Sequence, residues 1–418
     1  MQSLVILGRQ PDLGLAEIES LYGEDKVHRA GHNVALIDVD PCLFAFDRLG
    51  GSIKFCKVLT ILETDNWQEI EDFLVKVSPE QSKNMPEGKM RLGLSLYGYN
   101  LSNQKILSSG LNLKKAIQKT GRSVRLIPNK SAELSSAQII HNNLTSPTGW
   151  ELIFINNDHR TIIAQTVKVQ DIEAYSLRDR NRPFRDTKVG MLPPKLAQII
   201  INLSVGLLPD ESRQSVCDFP PEQIIPLKHL NKTILDPFCG TGVILQEAVL
   251  MGYKILGSDR DPRMVQYSKS NMEWAKKLLS DESTINRIGN LDQIIELADA
   301  TDHKWPNFDF VATESYLGKA LSSQPSTDAL NKIITDCNTI ITKFLINISK
   351  QVSFGTRLCI AIPAWQIKGG EFRNLPLIDQ ISELGYNLVR FKHAEDDKLL
   401  YFRDSQIVAR QLLVITRK

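Results

Sequence analysis

The residues best suited to chemistry lie between positions 234 and 316. Ile234-Leu235 can close a buried strand, and Val243 to Met251 continues with helical spacing. Asp236-Pro-Phe-Cys-Gly-Thr-Gly242 therefore falls at the carboxyl end of a strand, where open α/β sheets bind ligands. Gly240 and Gly242 permit positive φ and close approach of a ligand to the backbone. Asp236 is placed to hold a charged amino group. A glycine turn alone is weak evidence, because many strand–helix turns need glycine for steric reasons. Two further acids strengthen it. Tyr253 to Ser258 reads as a second strand and ends in Asp259-Arg-Asp261; an acid about 20 positions after such a loop can hydrogen-bond vicinal ribose hydroxyls. A third segment ends in Ala298-Asp299-Ala300, where Asp299 could accept from an adenine amino group. Three acids in order at successive strand ends fit an adenosine-containing cofactor. NAD stays open on spacing alone, although Gly-Thr-Gly departs from the Gly-x-Gly-x-x-Gly pattern.

The elements that must position these residues follow from the wider pattern. At 418 residues the chain exceeds one compact domain. Val5 to Leu7 reads as a strand, Leu13 to Leu21 as a helix, Asn33 to Val39 as a strand, Pro41 to Leu49 as a further helix start, and Phe55 to Leu62 as a strand. These make an α+β module over residues 1–65. Over 66–170, Met90 to Tyr97 and Ser123 to Ile127 read as strands, Asn103 to Thr120 and Leu134 to Asn143 as helices, and Trp150 to Val169 as a hairpin turning at Asn156-Asn-Asp-His159. Residues 171–195 form a basic linker poor in apolar periodicity, and Pro193-Pro194 opens a helix to about Gly206. From 196 to 418 the order strand, glycine loop, helix, strand repeats, as in a mostly parallel sheet covered on both faces.

Composition bounds the partners. The 42% hydrophobic and 23% charged content is that of a globular protein, and a net charge of +2 requires any nucleic-acid site to be local. Two clusters qualify: Lys114, Lys115, Lys119, Arg122, Arg125 and Lys130 in the second unit, and Arg178, Arg180, Arg182, Arg185 and Lys188 in the linker. Solvated surface is the plain alternative for either. No apolar run approaches the roughly 20 residues of a membrane span, and the start lacks the basic segment and cleavage site of a signal peptide. Six scattered cysteines and seven histidines show no metal-ligand or disulfide-framework spacing, so no metal and a reducing cytoplasm are expected.

The Asp236-Pro-Phe-Cys-Gly-Thr-Gly242 loop resembles that of the THUMP-containing tRNA guanosine N2-methyltransferases acting at position 10. Leu7 to Glu17, Arg178-Asp179 with Arg182-Pro183, Leu192 to Ala197 and Tyr401 to Arg410 are similar to further segments of that family. The resemblance implies an α/β fold: a Rossmann-like class I methyltransferase domain after α+β N-terminal and THUMP-like RNA-binding domains. It implies S-adenosylmethionine as cofactor, bound by Asp236, Phe238, Gly240, Gly242, Asp259 and Asp299, and tRNA as partner. Some relatives need a small activator protein.

Amino-group methyltransferases of this type carry Asp-Pro-Pro-Tyr, or Asn for Asp, after the fourth strand. The carboxylate or amide oxygen and a backbone carbonyl accept the amine hydrogens while the aromatic ring stacks on the base. Alignment of this kind supplies about 7–11 kcal/mol in favourable cases. Here Phe308 to Ala312 reads as the fourth strand, followed by Thr313-Glu-Ser-Tyr-Leu-Gly318. Glu314 replaces the acid, Ser315 and Tyr316 the prolines, and Leu317 the aromatic. Glu314 and Tyr316 are thus the candidate catalytic pair. The reading favoured is methyl transfer to the exocyclic amine of a guanosine in tRNA. The alternatives are an amino-methyltransferase on another RNA or on DNA, or an inactive RNA-binding protein that retains the cofactor fold.

Overall fold

The computed structural model describes residues 2–186, 191–208, 231–278, 285, 288–321, 323–367, 370–403 and 406–418. Lys188, considered above, lies outside them. The chain divides into two compact units: residues 1–11, 25–47 and 52–172 form one, and residues 12–24, 48–51 and 173–418 the other.

Strand β1 (Ser3–Leu7) leads into helix α1 (Pro11–Tyr22), which clusters with the second unit. The first unit then adds β2 (Val27–Gly31), β3 (Val34–Ile37), β4 (Ser52–Leu62), α2 (Trp67–Lys83), β5 (Met90–Tyr97), α3 (Asn103–Gln118), β6 (Val124–Leu126), α4 (Ser136–His141), β7 (Gly149–Asn157) and β8 (Arg160–Val169). Its strands form one sheet in the order β2-β3-β1-β4-β8-β7-β5-β6. The two N-terminal segments read separately in the sequence therefore share one ladder, joined where β4 pairs antiparallel with β8. The hairpin turns as expected, with Asp158 and His159 both at positive φ (48° and 64°), the geometry that matches right-handed strand twist. No helix starts at Pro41: the Asp40 side chain accepts from the Cys42 N–H and closes a single 3-10 turn, after which Phe44 is extended. Beneath the sheet Lys54 is buried, donating to Glu151 at 2.6 Å and to the Leu134 carbonyl at 2.8 Å. Ser95 and Thr166 complete the Glu151 carboxylate.

The second unit comprises α1, α5 (Ile172–Arg180), α6 (Pro194–Val205), β9 (Thr233–Asp236), α7 (Val243–Leu250), β10 (Lys254–Asp259), α8 (Pro262–Leu278), α9 (Leu291–Ile294), β11 (Ile295–Leu297), β12 (Phe310–Glu314), α10 (Thr327–Ile348), β13 (Arg357–Gln366), β14 (Phe372–Arg373), β15 (Tyr386–Leu388), β16 (Leu400–Tyr401) and β17 (Val408–Arg417). The sheet order is β11-β10-β9-β12-β13-β17-β15. Pairing is parallel from β11 through β13, and β17 runs antiparallel to both β13 and β15. Chain order reverses at β9, whose neighbours are β10 and β12, so the crevice beyond β9 is the topological switch point where such sheets take ligands. Helix α10 starts where Ser326 caps the Ala329 N–H and buries Leu330, Ile334, Cys337, Ile341, Phe344, Leu345 and Ile348, a single stripe at 3–4-residue spacing. That stripe joins Leu235, Val311, Leu358, Ile360 and Ile362 in the core.

The fourth strand starts two residues later than the sequence suggests. Asp309 turns its carboxylate to the Thr233 N–H at 2.8 Å and to Lys232, while pairing with β13 runs on to Glu314, opposite Ala361. Glu17 of α1 is a feature the sequence did not reveal. It is fully buried, accepts from the Gly50 and Gly51 N–H groups at 2.9 and 2.8 Å and from Asn202 of α6, and burial pushes its carboxyl up to about 7.

Candidate active site

The glycine loop leaves β9 and is held from β10. The Cys239 N–H donates to the Ser258 carbonyl at 2.8 Å, the Gly242 N–H to the Cys239 carbonyl at 2.7 Å, and the Gly240 N–H to the Asp259 carboxylate at 2.9 Å. Gly240 and Gly242 lie at φ of 50° and 82°, the left-handed region that favours glycine. A Cβ at Gly242 would meet Ser268 Oγ at 2.5 Å, so α8 packs hard against that turn. A Cβ at Gly240 would find only the Phe238 carbonyl, 4.0 Å away, so the side of the loop that the Gly240 Cα faces is open. Asp259, bonded to the Gly240 N–H, and Asp236, which feels the Asp259 charge, lie at this loop.

The acids differ in state. Asp236 is 2% exposed and accepts from Thr313 Oγ1 at 2.6 Å. Burial, with added repulsion from Asp259 and Glu314, pushes its carboxyl up to about 8. Asp259 accepts from both the Gly240 and Asp261 N–H groups at 2.9 Å, and burial raises its carboxyl despite them. Asp299 is exposed after β11 and is held below the usual carboxylate range by the Thr301 N–H and hydroxyl. Phe238 turns its ring edge-on to Phe344, 5.2 Å between centroids, and packs on the core.

At the end of β12, Glu314 is ion-paired with Arg410 of β17; the two side chains are 15% and 5% exposed. Ser315 gives both its N–H and its hydroxyl to the Ala361 carbonyl, at 2.9 and 3.0 Å. Tyr316 is 38% exposed, and partial burial near Cys337 and Asp336 raises its hydroxyl. The structure thus gathers Asp236, Thr313, Glu314 and Arg410 at the carboxyl end of β9, β12 and the neighbouring strands. Sequence reasoning missed Arg410 and Thr313. Arg410 lies 96 residues from Glu314 and meets it only through the pairing of β12 with β13 and β13 with β17. Among the described residues no group of three or more His, Cys, Asp or Glu is placed to hold a metal.

The basic residues separate into two kinds. Lys115, Lys119 and Arg125 are exposed and Lys114 half-buried. Arg122 instead wraps the carbonyls of Ser82, Met85 and Pro86 at the end of α2. Of the five linker residues singled out, Arg180 and Arg185 are exposed, and Lys188 lies outside the described residues. Arg178 donates to the buried Glu247 at 2.8 Å and lies over the Tyr175 ring. Arg182 is 3% exposed, with Asp179 at 3.9 Å, and desolvation lowers its basicity. Arg178 and Arg182 are therefore interior groups, not the solvent-facing phosphate contacts the sequence suggests, because the linker is folded as α5 against α7.

Residues 229–337 match the UPF0020 family, described as an RMKL-like methyltransferase domain. Part of the second unit is thus similar to a methyltransferase domain. It is similar to the tRNA (guanine(10)-N2)-dimethyltransferase of Methanothermobacter thermautotrophicus, 35% identical over 127 residues, which is 30% of either chain. The protein of the same name from Pyrococcus abyssi is 29% identical over 36% of this chain and 35% of its own. The matched stretch spans about a third of these relatives' length. Among solved structures, TrmN from Thermus thermophilus aligns over the whole of both chains with a TM-score of 0.50 and 13% identity. That likeness bears out the α/β, Rossmann-like fold.

Proposed function

We propose that the chain transfers a methyl group from S-adenosylmethionine to the exocyclic amine of a guanosine in tRNA. The observation that carries this is the open glycine loop at the switch point, with Asp236 and Asp259 bounding it in a domain similar to tRNA guanine methyltransferases. The bound cofactor supplies an electrophilic methyl. Asp236 receives its amino group, Asp259 its ribose hydroxyls through lone pairs not used by the two N–H donors, and Asp299 its adenine amine. Gly240 lets it approach the loop, Gly242 lets α8 pack against the turn, and Phe238 stiffens the loop by anchoring in the core. Glu314, with one oxygen held by Arg410, keeps its other oxygen for an amine hydrogen, and the half-exposed Tyr316 offers a stacking face. In the first unit, read as THUMP-like, Lys114, Lys115, Lys119 and Arg125 meet phosphates, with Arg185 doing so in the second. Among the described residues no helix is long and apolar enough to cross a membrane. A cytoplasmic setting and a small activator protein belong to the same proposal.

A second reading is favoured by one contact. Arg410 neutralises Glu314, as it would in an RNA-binding protein that keeps the fold without this chemistry. Purified protein incubated with labelled cofactor and bulk tRNA separates the two. Label in N2-methylguanosine, lost in Glu314→Ala, is the expected result. Cofactor binding without transfer to tRNA, rRNA or DNA supports the second reading.

A further inference from the structure

We propose that a groove along α8 binds a single-stranded stretch of RNA, with bases on aromatic side chains and phosphates on lysines; this rests on the RNA-modifying function above. The groove encloses about 670 Å³ and, among the described residues, is bordered by Phe184, Trp274, Lys269, Lys276 and Lys277. Gln266, Lys269, Ser270, Glu273, Lys276 and Lys277 fall at helical spacing along one face, so the charged stems line one side. Lys269 and Lys276 are two turns apart, about 10 Å along the axis, within the reach of adjacent phosphates.

The aromatic side is built rather than incidental. Phe184 is 37% exposed yet rigid: it stacks on Tyr267, 4.6 Å between centroids at 15°. Its N–H donates to Asn271 Oδ1 at 3.0 Å, and Asn271 Nδ2 donates back to its carbonyl at 2.9 Å. Asn271 is 1% exposed, and the same Nδ2 reaches the Thr241 carbonyl of the glycine loop at 2.8 Å. A buried amide thus locks an exposed ring to the loop that takes the cofactor. Exposed, preorganised rings accept any base by stacking, each changing affinity by a factor of about 5 to 150.

Charge complementarity selects the occupant. Lys269 pairs with Asp292 and Lys276 with Glu273; the lysines are 22% and 20% exposed and their acid partners 82% and 58%. The acids approach from the solvent side, where ion pairing is weak, so a phosphate can displace them from the lysines. With Arg178 and Arg182 turned inward, the exposed Arg180, Phe184 and Arg185 and this helix face remain to meet RNA.

The test measures tRNA affinity of the full chain and of Phe184→Ala, Trp274→Ala and Lys277→Glu, with S-adenosylmethionine affinity measured alongside. Each variant is expected to weaken tRNA binding about tenfold, with cofactor affinity within twofold. Lys277→Glu should also lower the slope of affinity against salt by about one. Wild-type binding with all three variants unchanged overturns the groove but not the RNA reading. Cofactor affinity lost with tRNA affinity intact reassigns the groove to cofactor support and equally overturns it. If the wild-type chain binds no tRNA, the underlying function fails, and the groove proposal with it.

Discussion

Replacing Arg410 by methionine tests the most unusual part of the site. The change keeps much of the side-chain volume and removes the guanidinium from Glu314. Both partners are buried, at 15% and 5% exposure, so Glu314 is left as an uncompensated interior charge. Breaking such a pair from one side typically costs about 3–5 kcal/mol. The residual exposure of Glu314 places the expected loss near the lower limit, about 3 kcal/mol in denaturant unfolding. Removing the countercharge also strengthens the field of Glu314 on Asp236, which already feels it. Cofactor affinity near neutral pH should therefore fall, although Arg410 touches no part of the glycine loop. The double variant Glu314→Gln/Arg410→Met separates pair from packing. It should recover about 1–3 kcal/mol relative to Arg410→Met alone, because no charge is stranded. Methyl transfer should stay low in both, since neither holds a fixed carboxylate at the amine. An Arg410→Met protein as stable and as active as wild type would refute the reasoning, as would a double variant no more stable than the single.

Asp236 predicts a pH dependence. Its carboxyl, raised to about 8, is largely protonated at neutral pH, whereas a cationic cofactor requires the ionised form. Affinity should rise with pH, about tenfold per unit up to about 8, and then level off. Calorimetry at pH 7 in buffers of different ionisation enthalpy should show release of close to one proton, and no release contradicts the assignment. Without cofactor the sign for stability is opposite: the contribution of this group is present below its unfolded value near 4 and is lost as pH rises through about 8. Gly242→Ala meets both a φ of 82° and Ser268 Oγ at 2.5 Å. Strain alone costs about 1–2 kcal/mol, and cofactor binding should fall below detection in the still-folded protein. In the first unit Lys54→Met strands Glu151, which is 0% exposed. A loss of about 3–5 kcal/mol is expected, read as early melting of that unit while cofactor affinity is unchanged.

Much of the catalytic domain was legible because its signals are local. A strand end, two glycines and an acid occupy seven consecutive residues; Asp259 closes its own short strand, and Asp299 follows two residues after the end of β11. The expected strand and helix at 5–7 and 13–21 were also local patterns, and both formed. What escaped were contacts made by folding. Nothing near residue 410 announces that it meets Glu314, because the two are joined through strand pairing. The basic linker misled for a related reason. Arg178 and Arg182 read as solvated charge until α5 sets Arg178 against the interior acid Glu247 and Arg182 is buried just beyond it. The Pro41 start was misjudged because apolar spacing does not register a side chain closing a 3-10 turn.

The distribution of charge bears on what the site is for. Asp236, Asp259 and Glu314 lie close enough for Asp236 to feel both others, and the near cation that an ion pair reveals is Arg410, committed to Glu314. Burial raises both Asp236 and Asp259, so keeping them ionised side by side is unfavourable in the protein alone. The protein alone settles such groups by pairing, as Lys54 and Glu151 do in the first unit, or by protonation, as at Asp236. Two acids raised by burial, with Arg260 acting only on Asp259, make sense when a cationic ligand completes the site. Glu314 is the exception, since its charge is already balanced from within. Under the proposed function its task is directional rather than electrostatic: to hold one oxygen in place for a neutral amine. An amine nitrogen of a nucleobase needs that kind of acceptor, and a second cation does not.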